Sequence, residues 1–334
     1  MDSRERVFRA IEFGGPDRLP IRHVVLPGAY AVFGDALTSL IARYPSDFAT
    51  TGYTEPSEYG AEIGVPQADG WGAKWVRTLD DNKGLIVEHP LDDWSKLESY
   101  KFPDPLVIGD WSAVPDHLRS NDGRKYVMVD GDTLFQRMFY LRGYENLMLD
   151  LADKPDEVFF LRDRIVEFII RKIGKWLEYP VDGFEFRDDW GSQQALMIRP
   201  EEWRAFFRPA YARIFDVVKS AGKHIWFHSD GQIFTILGDL IELGAQVVNP
   251  QAHLIGTRKL SEAFGGKVCF LGDVDRQYVL PFGTPDEVRA HVREAIHAFG
   301  RFGGGYIARG EVAVDTPMAN VEAMYETFAE WRPG

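Results

Sequence analysis

Three short apolar runs between residues 181 and 251 each end in side chains able to move protons or hold a cation. They are Asp182-Gly-Phe-Glu-Phe-Arg-Asp-Asp189, Lys223-His-Ile-Trp-Phe-His-Ser-Asp230 and Ala245-Gln-Val-Val-Asn-Pro-Gln251. His228 and Asp230 stand two residues apart, so in extended chain they point the same way. Imidazole and carboxylate together are a donor set suited to zinc or another divalent ion. Asp188 and Asp189 are neighbours, so one at most faces that same side. Two carboxylates held close raise each other's pKa, which makes one a candidate general acid and leaves the other to fix a turn. Which is which stays open.

Elements of regular structure must bring these residues together. Apolar runs near residues 20, 47, 127, 184, 225, 247, 269 and 306 read as strands, and each but the last is followed by helical sequence. Among the helices, Val158, Leu161, Ile165, Phe168, Ile169 and Ile173 recur at the helical period. Eight alternating units in this length predict an α/β fold, a (β/α)₈ barrel spanning 1–334 as one domain. An open doubly wound sheet is the alternative. It usually carries a glycine-rich phosphate turn after its first strand, where this chain has Pro27-Gly-Ala-Tyr30. Residues 65–105 interrupt the alternation with a β-hairpin pattern about the turn Asp80-Asp-Asn-Lys-Gly84.

A barrel gathers its strand ends in one mouth. Those ends supply His23, then Asp130 and Asp132, then Asp188, Asp189 and Gln193. His228 and Asp230 follow, then Asn249 and Gln251, Asp273 and Asp275, and finally Arg309 and Glu311. Asp188, Asp189 and Asp230 are the catalytic candidates, and His228, Asp230 and Glu311 the metal ligands. His23, Asp130, Gln193, Asn249, Gln251, Asp273 and Arg309 are candidates for substrate binding. Arg309 suits a substrate carboxylate or phosphate, and equally suits neutralising Asp273 or Asp275. The single cysteine, Cys269, sits in mid-strand as a small apolar residue.

The bulk properties narrow the class. With 334 residues, 45% hydrophobic and 27% charged, the chain has globular composition, and its net charge of -13 argues against nucleic acid as a partner. One cysteine permits no internal disulfide and no Cys-x-x-Cys site. No uninterrupted apolar run reaches membrane-spanning length and the N-terminus lacks a signal-peptide core, so a cytoplasmic protein is expected.

Together, Arg4-Glu-Arg-Val7, Asp188-Asp-Trp-Gly-Ser-Gln193, Phe227-His-Ser-Asp-Gly231, Leu280-Pro-Phe-Gly-Thr-Pro285 and Asp315-Thr-Pro-Met-Ala-Asn-Val321 resemble the uroporphyrinogen decarboxylase superfamily. The resemblance implies a (β/α)₈ barrel with one of two activities. One is cofactor-free decarboxylation of uroporphyrinogen; the other is methyl transfer to or from a corrinoid protein, commonly with zinc. The decarboxylases carry Arg-Gln-Ala-Gly-Arg-Tyr after the first strand, where this chain has Arg22-His-Val-Val-Leu-Pro-Gly-Ala-Tyr30. Their late Ser-His-x-x-Gln-Pro-Asp is replaced by Arg309-Gly-Glu-Val-Ala-Val-Asp315. The thiol methyltransferases have His-x-Cys and a distant Cys as zinc ligands, where this chain has His228-Ser-Asp230 and offers Glu311. The resemblance therefore leans towards the corrinoid-linked, O-demethylase-like branch.

The leading expectation is a zinc-assisted methyltransferase taking a methyl group from a small O- or N-methylated donor to a corrinoid on a partner protein. Against it stand a cofactor-independent decarboxylase of a small or porphyrinogen-like acid, with Arg22 and Arg309 gripping the substrate, and a non-catalytic binding protein on the same fold. A homodimer is compatible with any of them.

Overall fold

In a computed structural model, residues 1–55, 62–78 and 84–332 are described; the turn expected at Asp80–Lys83 lies outside them. The strands in chain order are β1 (Ile21–Val25), β2 (Gln67–Ala68), β3 (Lys74–Val76), β4 (Leu85–Glu88), β5 (Met128–Asp132), β6 (Gly183–Arg187), β7 (His224–Ser229), β8 (Val247–Pro250), β9 (Cys269–Leu271) and β10 (Tyr306–Val312). Seven form one parallel sheet in the order β1-β10-β9-β8-β7-β6-β5, and β2-β3-β4 form a small antiparallel sheet, the expected excursion. Helices, among them Asp156–Trp176, Arg208–Ser220 and Pro285–Phe299, fill the connections between successive parallel strands.

The eighth strand, expected near 47, is reduced to a single bridge between Phe48 and Tyr126. It still closes the sheet, because Asp47 N–H donates to Ile21 of β1 while Ala49 and Asp47 exchange hydrogen bonds with Tyr126 beside β5. The ladder is cut short by the Asp47 side chain, which accepts from Ile21 N–H, Arg6 and Arg18 in place of a longer backbone register.

The barrel interior is layered. Helix Ser3–Ile11 plugs the bottom with Val7, Ala10 and Ile11, packed with Tyr126, Trp226, Val247, Cys269, Leu271 and Ile307 from the strands. Gly183 makes room for this layer: a Cβ there would lie 2.3 Å from the Tyr126 hydroxyl. Outside the sheet, a larger apolar core separates strands from helices. Above the plug the inward residues turn polar, and Arg187, His228 and Asn249 lie side by side across β6, β7 and β8. No described helix is long and apolar enough to cross a membrane.

Candidate active site

Period-two alternation decides which strand residues enter the mouth. On β6 and its extension, Glu185, Arg187 and Asp189 line a cavity of about 410 Å³, with Arg22 and Val24 of β1, His228 of β7, Asn249 of β8, and Arg309 and Glu311 of β10. Asp130 and Asp132 join from β5, and Thr133, Gln136, Arg137 and Tyr140 from the segment that follows it. A wider surface hollow, about 590 Å³ and lined by Trp94, Tyr100, Phe102 and Phe160, shares no residue with this mouth. The strand ends converge on the smaller cavity, which makes it the candidate site.

The carboxylates of Asp188 and Asp189 separate cleanly. Asp188, 1% exposed, faces away from the cavity. It accepts from the Thr133 hydroxyl, from Gln136 N–H at 2.9 Å, from Leu134 N–H at 2.8 Å and from the Tyr211 hydroxyl at 2.6 Å, tying the segment after β5 to the end of β6. Burial pushes its carboxyl up to about 6, and those donors keep it from rising further. Asp189 faces inward; its Oδ1 accepts from Asp230 N–H at 2.9 Å and its Oδ2 from Gln136 Nε2 at 2.8 Å. Among the described residues it is the cavity carboxylate with no lysine or arginine partner. The two loops that carry Asp189 and Asp230 touch through their glycines. Gly231 has φ +79°, and a Cβ there would fall 2.1 Å from the carbonyl of Gly191, so no other residue fits the approach.

His228 is fixed by a network. The Asn249 amide donates through Nδ2 to Leu271 O at 2.7 Å, which leaves its Oδ1 to accept from Arg309 Nη1 at 2.6 Å and His228 Nδ1 at 2.7 Å. Nδ1 therefore carries the proton of the neutral ring, and Nε2 presents a lone pair. That lone pair faces Asp189 Oδ1 at 3.7 Å and Asp230 Oδ1 at 3.6 Å. Asp230 Oδ1 is buried without a hydrogen-bond partner. Three electron-rich atoms facing one another call for a positive charge between them. A proton on Nε2 fits poorly, since N–H···O bonds span about 2.7–3.2 Å. A divalent ion fits better: two bonds of about 2.1 Å near the tetrahedral angle set their donors about 3.4 Å apart. Asp189, His228 and Asp230 are the group of possible ligands that the described residues bring within 4.8 Å of one another.

Glu311 is not in that group. Its carboxylate lies 3.1 and 3.2 Å from Arg276 Nη1, and Arg276 Nη2 donates to Asp230 Oδ2 at 2.6 Å. The guanidinium thus stands between two of the expected ligands, and the carboxylate that lies beside His228 and Asp230 instead is Asp189. His23 also points elsewhere: it alternates with the inward Arg22 and Val24, and its ring nitrogens engage the Tyr325 hydroxyl and Tyr44 O, each at 2.7 Å. Gln251 is buried and accepts from Gly231 N–H, supporting the turn beneath Asp230. Gln193 is exposed outside the cavity. Asp273 is buried and holds Arg309 at 2.6 Å, the neutralising role anticipated for that pair. Asp275 caps the turn ahead of Tyr278 through the Gln277 and Tyr278 N–H groups. Asp130 remains at the cavity and pairs with Arg187 at 3.0 Å.

Sequence reasoning passed over several residues of the site. Glu185 is the clearest, because a charged residue between Phe184 and Phe186 in a buried strand is itself a signal. Burial alone would raise its carboxyl, but the Arg22 guanidinium, bidentate at 2.5 and 2.8 Å, overrides this and holds it at about 2. Gln136, Arg276 and Glu55 gave no such signal, since each comes from a loop or helix start whose position only the fold sets.

The family model of uroporphyrinogen decarboxylase (URO-D) matches residues 79–331, and the chain belongs to that family. No curated protein matches the chain in sequence. Among solved structures it is similar to a methyltransferase from Methanosarcina mazei, with a TM-score of 0.70 at 19% identity over 99% of both chains. That likeness covers the whole barrel and establishes the fold. A glycosylated endo-β-1,4-xylanase from Gloeophyllum trabeum also matches, with a TM-score of 0.47 at 9% identity over 96% of this chain and 99% of that one. A B12-independent methionine synthase from Shewanella sp. W3-18-1 matches with a TM-score of 0.43 at 11% identity over 62% of each chain. Neither of these two is close enough to inform function.

Proposed function

We propose that this protein is a metal-assisted methyltransferase of the demethylating type, taking a methyl group from a small O- or N-methylated donor and passing it to the cobalt of a corrinoid protein. The observation that carries the reading is the inward lone pair of His228 Nε2, set against Asp189 and the unpartnered Oδ1 of Asp230. Asp189, His228 and Asp230 would hold the ion, zinc being the best match to nitrogen and oxygen donors in this geometry. When bound, a divalent ion with an open position supplies Lewis acidity to the donor's oxygen or nitrogen, making it a better leaving group.

The chain's own residues do the rest. Asn249 keeps the imidazole in the tautomer that turns its lone pair to the site. Gln136 and the Asp230 N–H orient the Asp189 carboxylate. Asp188 is walled off from the cavity and Asp189 is engaged by the site, so neither carboxyl is placed to protonate the departing oxygen or nitrogen. That proton would come from solvent entering the mouth. Val24, Leu26 and Tyr140 give the cavity its apolar wall. The barrel fold shared with the Methanosarcina mazei methyltransferase over 99% of both chains is compatible with this reading.

The decarboxylase reading is weakened by the same ion pairs that order the mouth. Arg22 is held by Glu185, Arg187 by Asp130, Arg276 by Asp230 and Glu311, and Arg309 by Asp273. A substrate carboxylate would have to compete with each of them. The test is methylation of free cob(I)alamin, followed by its absorbance, with a panel of methoxylated and N-methylated donors and with zinc added or chelated. Methylcobalamin formed only with zinc present supports the proposal. Zinc-independent release of carbon dioxide from an acid, with no methyl transfer from any donor, would overturn it.

A further inference from the structure

Arg276 reaches the site from the turn after β9, next to Asp275, and is the residue of that turn whose role the sequence does not suggest. Its side chain is 26% exposed, and both of its described ion pairs go to site residues: Asp230 Oδ2 at 2.6 Å, and the Glu311 carboxylate at 3.1 Å. Glu311 is further neutralised by Arg309 Nη2 at 3.7 Å. Asp230 is thereby divided. One oxygen is bound to the guanidinium, and the other, buried and unpartnered, faces His228. Without Arg276, Asp230 would lose its guanidinium partner and Glu311 would keep only the longer contact to Arg309, leaving both carboxylates freer to reach a cation.

We infer that Arg276 is an internal counter-cation that keeps Glu311 out of the metal's ligand set and confines that set to Asp189, His228 and Asp230. The inference rests on the metal reading of this site. Two consequences follow from the geometry. Three protein ligands leave a fourth position for the donor's oxygen or nitrogen, which a fourth carboxylate would fill. The guanidinium also draws electron density from Asp230, weakening it as a ligand and leaving the ion a stronger Lewis acid. Arg276 is therefore a positioning residue that exchanges metal affinity for reactivity.

The test measures Zn²⁺ and Co²⁺ affinity by chelator competition on the full-length wild type, Arg276→Gln, Glu311→Gln and the double variant, with melting curves as a check on folding. Arg276→Gln should bind at least about tenfold more tightly, the scale of outer-sphere effects on metal sites. The double variant should lose the part of that gain that comes from Glu311, which is most of it, and the visible spectrum of bound cobalt should change most in Arg276→Gln. Glu311→Gln by itself should stay within a few-fold of wild type, which keeps the inference testable if Arg276→Gln does not fold. A wild type that binds metal while Arg276→Gln binds no tighter, or a large loss in Glu311→Gln, would overturn the inference and leave the proposed function standing. Binding by Arg276→Gln alone, with none by the wild type, would overturn both the metal reading and the inference, because the native site would then have no ligand set for Arg276 to confine. No binding by any variant would overturn both.

Discussion

Replacing each member of the Asp188–Asp189 pair by asparagine should separate a folding role from a chemical one. In Asp188→Asn one oxygen survives, able to accept from two of the four donors that now reach the carboxylate. The amide nitrogen that replaces the other has no lone pair for its two donors. Losing two hydrogen bonds to a buried charged acceptor costs about 3–6 kcal/mol. The Tyr211 hydroxyl can turn to accept from the new amide, which favours the low end, about 3 kcal/mol. At roughly 2.1 cal/mol/K of unfolding entropy per residue, a chain of this length should lose about 4 °C in Tm. Metal affinity should be unchanged in the folded fraction. Asp189→Asn should do the reverse. Its partners are one backbone N–H and one amide, both of which an asparagine can still meet, so Tm should move by less than about 2 °C. Metal affinity should fall at least about tenfold. The assays are differential scanning calorimetry and chelator competition on the same preparations. An Asp188→Asn protein that melts like wild type yet loses metal or turnover would refute the assignment of Asp188 to the fold.

Three further outcomes are expected. Asn249→Ala removes the acceptor that sets the His228 tautomer, and zinc affinity should fall about ten- to a hundredfold with the fold retained by circular dichroism. Glu185 has its carboxyl lowered from the ordinary 4.5 to about 2, so its stabilisation is complete above pH 4.5 and is lost as pH falls towards 2. Glu185→Gln should therefore flatten the acid side of the stability profile between those values and, by stranding Arg22, cost about 3–5 kcal/mol at neutral pH in urea titrations. Gly231→Ala would press a methyl group into the Gly191 backbone, and should lower both Tm and metal affinity because Asp230 moves with the turn.

Much of the fold was legible because strand and helix periods leave distinct marks, and seven of the eight expected strands pair in the parallel order a barrel requires. The strand at 47 was overstated because Asp47 looks like one more residue of an extended run, whereas its side chain replaces the ladder it was meant to extend. At the site, the residue types were visible but parity was not. His23 and Arg22 are adjacent, and one residue of phase sends the histidine to Tyr325 and the arginine into the cavity. The same phase made Asp188 and Asp189 indistinguishable in sequence. The Arg276 bridge to Asp230 and Glu311 was invisible for a different reason: its partners lie 46 and 35 residues away, and only barrel closure makes them neighbours.

The central claim is that Asp189, His228 and Asp230 hold one divalent ion. It is tested most directly by elemental analysis of the purified full-length protein after zinc reconstitution and desalting, beside His228→Ala and Asp189→Asn. About one zinc per wild-type chain, with most of it missing from both folded variants, is the result this account predicts. A wild type that retains no metal yet still transfers methyl groups, or a His228→Ala variant that keeps its full complement, would contradict it.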